Sequence, residues 1–199
     1  MANAAEGSWD EPVSERRRSG ISSPVFGMLV FIVTEVMFFA ALISAYMVTT
    51  ANAVQWPPVG QPRLPIEITG LNTLILLASG VMIHIAGNQF EKSLNSKNGR
   101  TLFLRGMVLG VMFLAIQGYE WISLLSFGFT MTSNIGGAFF YLVIGSHGLH
   151  VLGAVIGLYM LWRKLGKGTM TIEGYGAARI FWYFVVGIWP ILYVLVDLV

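Results

Sequence analysis

Five long apolar segments constrain this chain more than any other feature of its sequence. They are predicted over residues 25–48, 66–90, 101–127, 137–162 and 180–198. Each is close to the roughly 20 residues that a helix needs to cross a bilayer. In lipid, backbone amides must be paired within their own segment, so the segments are predicted to be helices. No run alternates polar and apolar residues over about ten positions, which disfavours a β-barrel. The predicted fold class is an all-α integral membrane bundle of five transmembrane helices.

The composition supports one membrane domain. Of 199 residues, 55% are hydrophobic and 11% are charged, whereas soluble domains carry roughly 25% charged residues. Residues 1–24 form a polar N-terminal tail that we expect to be cytoplasmic, and residues 25–199 form the membrane domain. The first apolar run is longer than the roughly 7–15 residues of a signal-peptide core, so no cleavage is expected. The absence of cysteine excludes disulfides, thiolate metal sites and cysteine nucleophiles.

The basic residues predict the orientation. Of 12 Lys and Arg residues, only Arg63 falls in a predicted loop on one side, and the rest fall on the other. The other eleven are in the tail and in the second and fourth loops: Arg16, Arg17, Arg18, Lys92, Lys97, Arg100, Arg105, Arg163, Lys164, Lys167 and Arg179. The positive-inside rule then places the N-terminus in the cytoplasm and the C-terminus in the periplasm. Basic residues in such short stretches indicate orientation, and no nucleic-acid partner is expected.

Turn residues and small residues complete the predicted bundle. The predicted loops contain Trp56-Pro57-Pro58, Asn95-Ser96-Lys97-Asn98-Gly99, Ser133-Asn134-Ile135-Gly136 and Gly166-Lys167-Gly168. Small residues recur four apart in the helices, as Ala41 and Ala45, Gly106 and Gly110, and Gly153 and Gly157. Such pairs let helix backbones approach closely and indicate ordinary bundle packing.

Four ionisable residues inside the predicted spans are the candidate functional residues: Glu35, Glu120, His147 and His150. An unpaired ionisable group costs several kcal/mol in a membrane, so each is expected to face the bundle interior. One reading is an interhelical hydrogen-bond network of Glu and His that fixes the helix register. The alternative is a role in proton handling or lipid contact.

No metal, haem or catalytic site is expected in this chain. His147 and His150 lie three residues apart on one helical face, but a shared metal would need further ligands. His84, near the cytoplasmic end of the second span, is interpreted as an interfacial or packing residue. No phosphate-binding loop, nucleophile–base set or paired-carboxylate site is visible in the sequence.

Several motifs in chain order resemble subunit III of haem–copper terminal oxidases, in its five-helix bacterial form. The resemblance covers about residues 25–199. It rests on Thr34-Glu35-Val36-Met37-Phe38-Phe39, Trp56-Pro57-Pro58, Leu71-Asn72-Thr73 with Leu77-Ala78-Ser79-Gly80, Gln117-Gly118-Tyr119-Glu120, and Gly145-Ser146-His147-Gly148-Leu149-His150-Val151. Longer family members carry two further N-terminal helices.

The last helix departs from the family pattern, which usually reads Trp-His-Phe-x-Asp-x-x-Trp. Here Tyr183 replaces the histidine and Val186 replaces the aspartate. Pro190 follows and is expected to kink the helix. These replacements remove one polar pair and indicate a divergent branch.

The resemblance implies a subunit without haem or copper. Those groups are expected in partner subunits: subunit I, which reduces oxygen to water and pumps protons, and subunit II. This chain is expected in the bacterial inner membrane, packed against subunit I, supporting its stability and proton uptake during aerobic respiration. Glu35 matches the family carboxylate that reacts with carbodiimide. Bound phospholipid is expected, and Arg163 matches a position that contacts lipid phosphate, although it also fits a positive-inside anchor.

Three questions stay open at the level of sequence. Trp56-Pro57-Pro58 resembles the cytochrome c branch more than the quinol branch, so cytochrome c is the expected electron donor. Membership of a larger respiratory supercomplex is open. An accessory subunit of a nitric oxide reductase is the alternative within the family, and a small standalone transporter is the alternative outside it. The absence of internal repeats argues against the transporter.

Overall fold

Five long helices form the structure, a computed structural model that describes residues 22–52, 66–126 and 135–195. All five are long and apolar enough to cross a bilayer. In chain order they are α1 Ser23–Ala51, α2 Ile66–Lys92, α3 Lys97–Ser126, α4 Ile135–Gly166 and α5 Ile172–Tyr193. The described residues contain no strand. The predicted all-α bundle of five membrane helices is confirmed, and its orientation stays a prediction. The tail, the Trp56-Pro57-Pro58 loop and Ser133-Asn134 lie outside the described residues.

The helices α2, α3, α4 and α1 pack side by side in that order, and α5 packs against three of them. The most extensive helix pair is α2 with α3, and α3 continues to α4, which contacts α1. Helix α5 packs against α1, α2 and α4. Helix α1 is the most peripheral helix, since Phe39 and Tyr46 are its buried residues. The end of the bundle where α2 ends and α3 begins, with Lys92 and Lys97, is referred to below as the basic end.

Helix α3 begins four residues earlier than predicted. The sequence 95–99 was expected to be a loop, but the connection spans only 93–96 and the helix starts at Lys97. Ser96 explains the difference, because its Oγ accepts a hydrogen bond of 3.1 Å from the backbone N–H of Gly99. A serine in that position caps the first turn, so the polar residues after it are helical.

Helix α5 begins eight residues before the predicted start at position 180. Thr171 caps it by accepting a hydrogen bond from the Gly174 backbone N–H at 3.1 Å, and Glu173 lies in its first turn. An acidic residue there complements the positive end of the helix dipole. Helix formation therefore extends beyond the apolar segment, and α5 continues through Pro190 to Tyr193. Similarly, Ile135 and Gly136, expected in a loop, open α4.

Only one of the two glycine pairs serves close helix packing. A Cβ at Gly106 would lie 2.9 Å from the Ile83 side chain, and one at Gly110 would lie 2.5 Å from the Trp182 ring. At these two positions α3 approaches α2 and α5 so closely that an added Cβ would force a neighbouring side chain to shift. At Gly153 and Gly157 nothing lies within 4 Å of the corresponding position, so the described structure gives no packing reason for that pair.

Candidate functional site

Glu35 and His150 form a direct pair between α1 and α4. Glu35 Oε2 lies 2.8 Å from His150 Nε2, and both side chains are largely buried. Glu35 is twelve residues after Ser23, so it lies roughly 18 Å along α1. His150 lies at the middle of α4. The pair therefore sits near the centre of the apolar layer, where the sequence placed both residues.

The geometry at His150 fixes where its protons lie. His150 Nδ1 is 2.6 Å from the backbone carbonyl oxygen of Ser146. A carbonyl oxygen only accepts, so Nδ1 carries the proton and donates it. One proton then lies between His150 Nε2 and Glu35 Oε2, on either the carboxyl or the imidazole. Hydrogen bonding to Ser146 sets this tautomer and orients the ring toward α1.

Aromatic rings surround the Glu35–His150 pair. The Phe39 ring centroid is 5.2 Å from that of His150 in an edge arrangement, and Phe38 and Phe181 lie 6.3 and 6.4 Å away. These rings come from α1 and α5, so three helices meet at the pair. Such surroundings limit access of water while leaving the pair partly exposed toward the side of the bundle.

Glu120 belongs to a second polar cluster, between α2 and α3. It accepts a hydrogen bond from Gln117 Nε2 at 2.9 Å and one from Thr69 Oγ1 at 3.2 Å. Asn72, also on α2, donates from Nδ2 to the Phe113 carbonyl at 3.3 Å. Glu120 is only 5% exposed. Although it lies near the end of α3, this carboxyl is enclosed by the bundle.

Trp189 extends the cluster to α5. Its Nε1 donates to Thr73 Oγ1 at 2.9 Å, and Thr73 donates to the Thr69 carbonyl at 2.8 Å. The α2 residues of this cluster were not among the candidate functional residues predicted from the sequence: Thr69, Asn72 and Thr73. The available signal was their spacing, because polar residues three and four apart within an apolar run share one helical face.

His147 makes no hydrogen bond to either polar group, although its ring contacts Trp189 of the second cluster. It is 1% exposed, and neither ring nitrogen has a hydrogen-bond partner among the described residues. Its ring stacks on Trp189 at 4.8 Å and meets Phe113 edge-on at 6.3 Å. The four candidate residues therefore do not form one network. Glu35 pairs with His150, Glu120 joins the α2–α3 cluster, and His147 packs among aromatic rings.

The two residues that replace the usual histidine and aspartate of the last helix both contact α2. Tyr183 lies with its hydroxyl 2.7 Å from His84 Nδ1, which joins α5 to α2. Val186 packs over Gly80, where a Cβ would lie 3.2 Å from the valine side chain. The tyrosine that replaces the family histidine on α5 thus forms a polar pair with a histidine on α2.

Arg163 lies in the last turn of α4 and is exposed at the basic end. This position fits both predicted readings, a lipid-phosphate contact and a positive-inside anchor, and does not separate them. Within residues 22–52, 66–126 and 135–195, no group of three His, Cys, Asp or Glu side chains is arranged to hold a metal ion.

Known proteins are similar in sequence to this chain over most of its length. The model of the cytochrome c oxidase subunit III family matches residues 7–198. The cytochrome c oxidase subunit 3 of Synechocystis sp. is 33% identical over 178 residues, which cover 87% of this chain and 75% of that protein. That of Thermostichus vulcanus is 33% identical over 175 residues, covering 86% and 85%. That of Loxodonta africana is 35% identical over 201 residues, covering 93% and 75%. This chain, a multi-pass bacterial membrane protein, belongs to the cytochrome c oxidase subunit III family.

Proposed function

We propose that this chain is the non-catalytic subunit III of a proton-pumping haem–copper oxidase and stabilises the catalytic subunit I that carries the metal centres. The observation that supports this role is the Glu35–His150 pair at 2.8 Å. It joins two of the motifs that carry the family resemblance, Glu35-Val36-Met37-Phe38-Phe39 and His147-Gly148-Leu149-His150. A paired carboxyl and imidazole near the middle of the membrane fix two helices in register, which suits a structural subunit.

The stabilising role follows from the peripheral position of α1. This helix buries few side chains against the rest of the chain, so its polar link to α4 adds to its packing against α5 in positioning it. A hydrogen bond between transmembrane helices contributes about 0.6–2 kcal/mol. The pair therefore fixes the rotation of α1 and the surface that α1 presents to the surrounding membrane.

Support of proton uptake into subunit I is the alternative role of Glu35, beside the structural one. Its carboxyl shares one proton with His150 and remains partly exposed at the side of the bundle. A carboxyl that exchanges a proton with an imidazole inside the bundle can store a proton for uptake. We expect electrons to come from cytochrome c, because the relatives compared above are named cytochrome c oxidase subunit 3.

Phospholipid is the proposed ligand of the basic end. Arg163 and Lys164 occupy the last turn of α4, where cations also complement the negative end of the helix dipole. We expect Arg163 to contact a lipid phosphate there. The haems and copper of the complex are assigned to subunits I and II.

Co-purification tests the proposed function. An affinity tag on this chain should recover a complex that contains haem and copper together with a large catalytic membrane subunit. Recovery with b-type haem and non-haem iron would instead support the nitric oxide reductase alternative. Recovery as a haem-free homo-oligomer would support the transporter alternative.

We expect the N-terminus of this chain in the cytoplasm and its C-terminus in the periplasm. Because eleven of the twelve basic residues lie on one predicted side, a reporter fused after Val199 should be periplasmic, and one fused before Met1 cytoplasmic. Paired alkaline phosphatase and fluorescent-protein fusions measure this directly. A cytoplasmic C-terminus would overturn the orientation and its use of the positive-inside rule.

Replacing either histidine of α4 should leave the metal centres intact. We expect His147→Phe and His150→Gln complexes to keep the haem and copper content of the parent complex, because neither histidine belongs to a described ligand set. His150→Gln should weaken the hold of α1, since it changes the partner of Glu35. Metal analysis and haem spectra of the purified complexes check this, and loss of a haem band with this chain still bound would contradict it.

A further inference from the structure

The exposed faces of the helices differ in their ionisable residues. The exposed side chains of α1 are mostly large and apolar, such as Phe26, Val33 and Met37, and none of the exposed residues of that helix is ionisable. This composition suits contact with lipid tails. The exposed face of α2 carries Leu74, Val81 and Ile85, but it also carries His84.

Counted from the end of α2, His84 lies beyond the expected interfacial layer of the membrane. It is eight residues before Lys92, the end of α2, or roughly 12 Å along the helix. The polar interfacial layer on each side of the hydrocarbon is only about 5–8 Å thick. Ionisable side chains at that depth almost always face protein or water. Arg105, at a similar depth on α3, has a long side chain that can reach back to the headgroups.

Among the described residues, only one of the two His84 ring nitrogens has a hydrogen-bond partner. Its Nδ1 pairs with the Tyr183 hydroxyl at 2.7 Å, and the two ring centroids are 6.0 Å apart. Tyr183 holds the imidazole in place, so the ring cannot swing toward the interface without losing that bond. Nε2 has no hydrogen-bond partner among the described residues, although the side chain is exposed. A polar nitrogen left in hydrocarbon is costly unless another group pairs with it.

We propose that the exposed face of α2 around His84 packs against a transmembrane helix of another oxidase subunit, and that this helix presents a hydrogen-bonding side chain to His84 Nε2. The large apolar residues on either side, Val81 and Ile85, supply the packing surface. A lipid tail offers no hydrogen-bonding group at this depth, whereas a polar side chain of a partner helix does. This inference rests on the proposed function, which supplies the complex, and adds the surface and the chemistry of the contact.

Photo-crosslinking in the assembled complex tests the surface. A benzophenone amino acid is placed at Val81 on α2 or, as the matched control, at Val33 on α1. The two valines are 58% and 60% exposed. Val81 lies eleven residues before the end of α2, and Val33 lies ten residues after the start of α1, so the two probes are at similar depths. We expect Val81 to capture a transmembrane peptide of another oxidase subunit, identified by mass spectrometry, and Val33 to give mainly lipid adducts. Lipid adducts alone at Val81, or capture of a second copy of this chain, would overturn the proposal.

Two substitutions test the chemistry of the contact. His84→Leu removes the nitrogen that faces the partner, whereas Tyr183→Phe removes only the internal bond. We expect His84→Leu to lower the fraction of this chain retained in the detergent-purified complex several-fold, with a much smaller loss for Tyr183→Phe. Equal losses would mean that the pair is merely internal packing and would refute the contact. If the chain co-purifies with haem and copper while Val81 captures only lipid, this inference fails and the proposed function stands. Absence of co-purification would instead refute the proposed function.

Discussion

Replacing Gly110 by alanine should destabilise the folded bundle by about 1–3 kcal/mol, the usual cost of forcing extra atoms into a packed interior. The added Cβ would lie 2.5 Å from the edge of the Trp182 ring. Trp182 is fully buried, and a rigid indole cannot bend away as a flexible side chain does. Either the ring or α3 must therefore shift. The effect is measured by heating the purified complex and monitoring the loss of this chain from it.

Gly153→Ala is the matched control for Gly110→Ala. Nothing lies within 4 Å of the Cβ position at Gly153, and alanine has a higher helix propensity than glycine by roughly 1 kcal/mol. We expect a neutral or slightly stabilised complex. Trimming the ring with Trp182→Leu should partly rescue Gly110→Ala, since it removes the atoms that collide. Equal stability of the Gly110 and Gly153 variants would show that α3 and α5 are not in the close contact described here.

Glu35→Ala should loosen α1 and weaken the assembly by about 0.6–2 kcal/mol, the range for hydrogen bonds between transmembrane helices. It leaves His150 Nε2 without its partner at 2.8 Å. Glu35→Gln should be nearly silent in stability, because the amide N–H can donate to the same nitrogen. Retention of this chain through detergent purification, measured against the parent complex, separates the two variants.

Activity decides between the two roles of Glu35. If the residue is structural, the Gln variant keeps normal turnover, which is the result that we expect. If Glu35 helps to supply protons, an assembled Gln variant should slow at high pH, where protons are scarce. Carbodiimide should modify mainly Glu35, since Glu120 is the more enclosed carboxyl. A Gln variant that assembles normally but pumps fewer protons would show that the structural reading is incomplete.

The fold and the candidate residues Glu35 and His150 were accessible from sequence for different reasons. Apolar segments of bilayer length predict helices because lipid leaves the backbone few alternatives. Glu35 and His150 stood out because an ionisable group inside a span needs a partner. The sequence does not show which partner each group takes, because the rotation of one helix against another is set by packing around it.

The surroundings of His147 and the first residues of α3 and α5 could not be predicted from the sequence. A spacing of three predicts that His147 and His150 share a face, yet His150 reaches α1 while His147 stacks on Trp189 of α5. A helix face is wide enough to contact two neighbours, so shared spacing did not mean a shared site. The starts of α3 and α5 depended on single capping residues, Ser96 and Thr171, which lie outside the apolar segments.

Selective removal of this chain from the purified oxidase is the most direct test of its non-catalytic role. The remaining complex should keep its full haem and copper content and its initial rate of oxygen reduction, while its activity decays faster during turnover. Adding the chain back should restore the lifetime. Loss of haem or copper in proportion to the chain removed, or an immediate loss of oxygen reduction with the metal centres intact, would contradict the account.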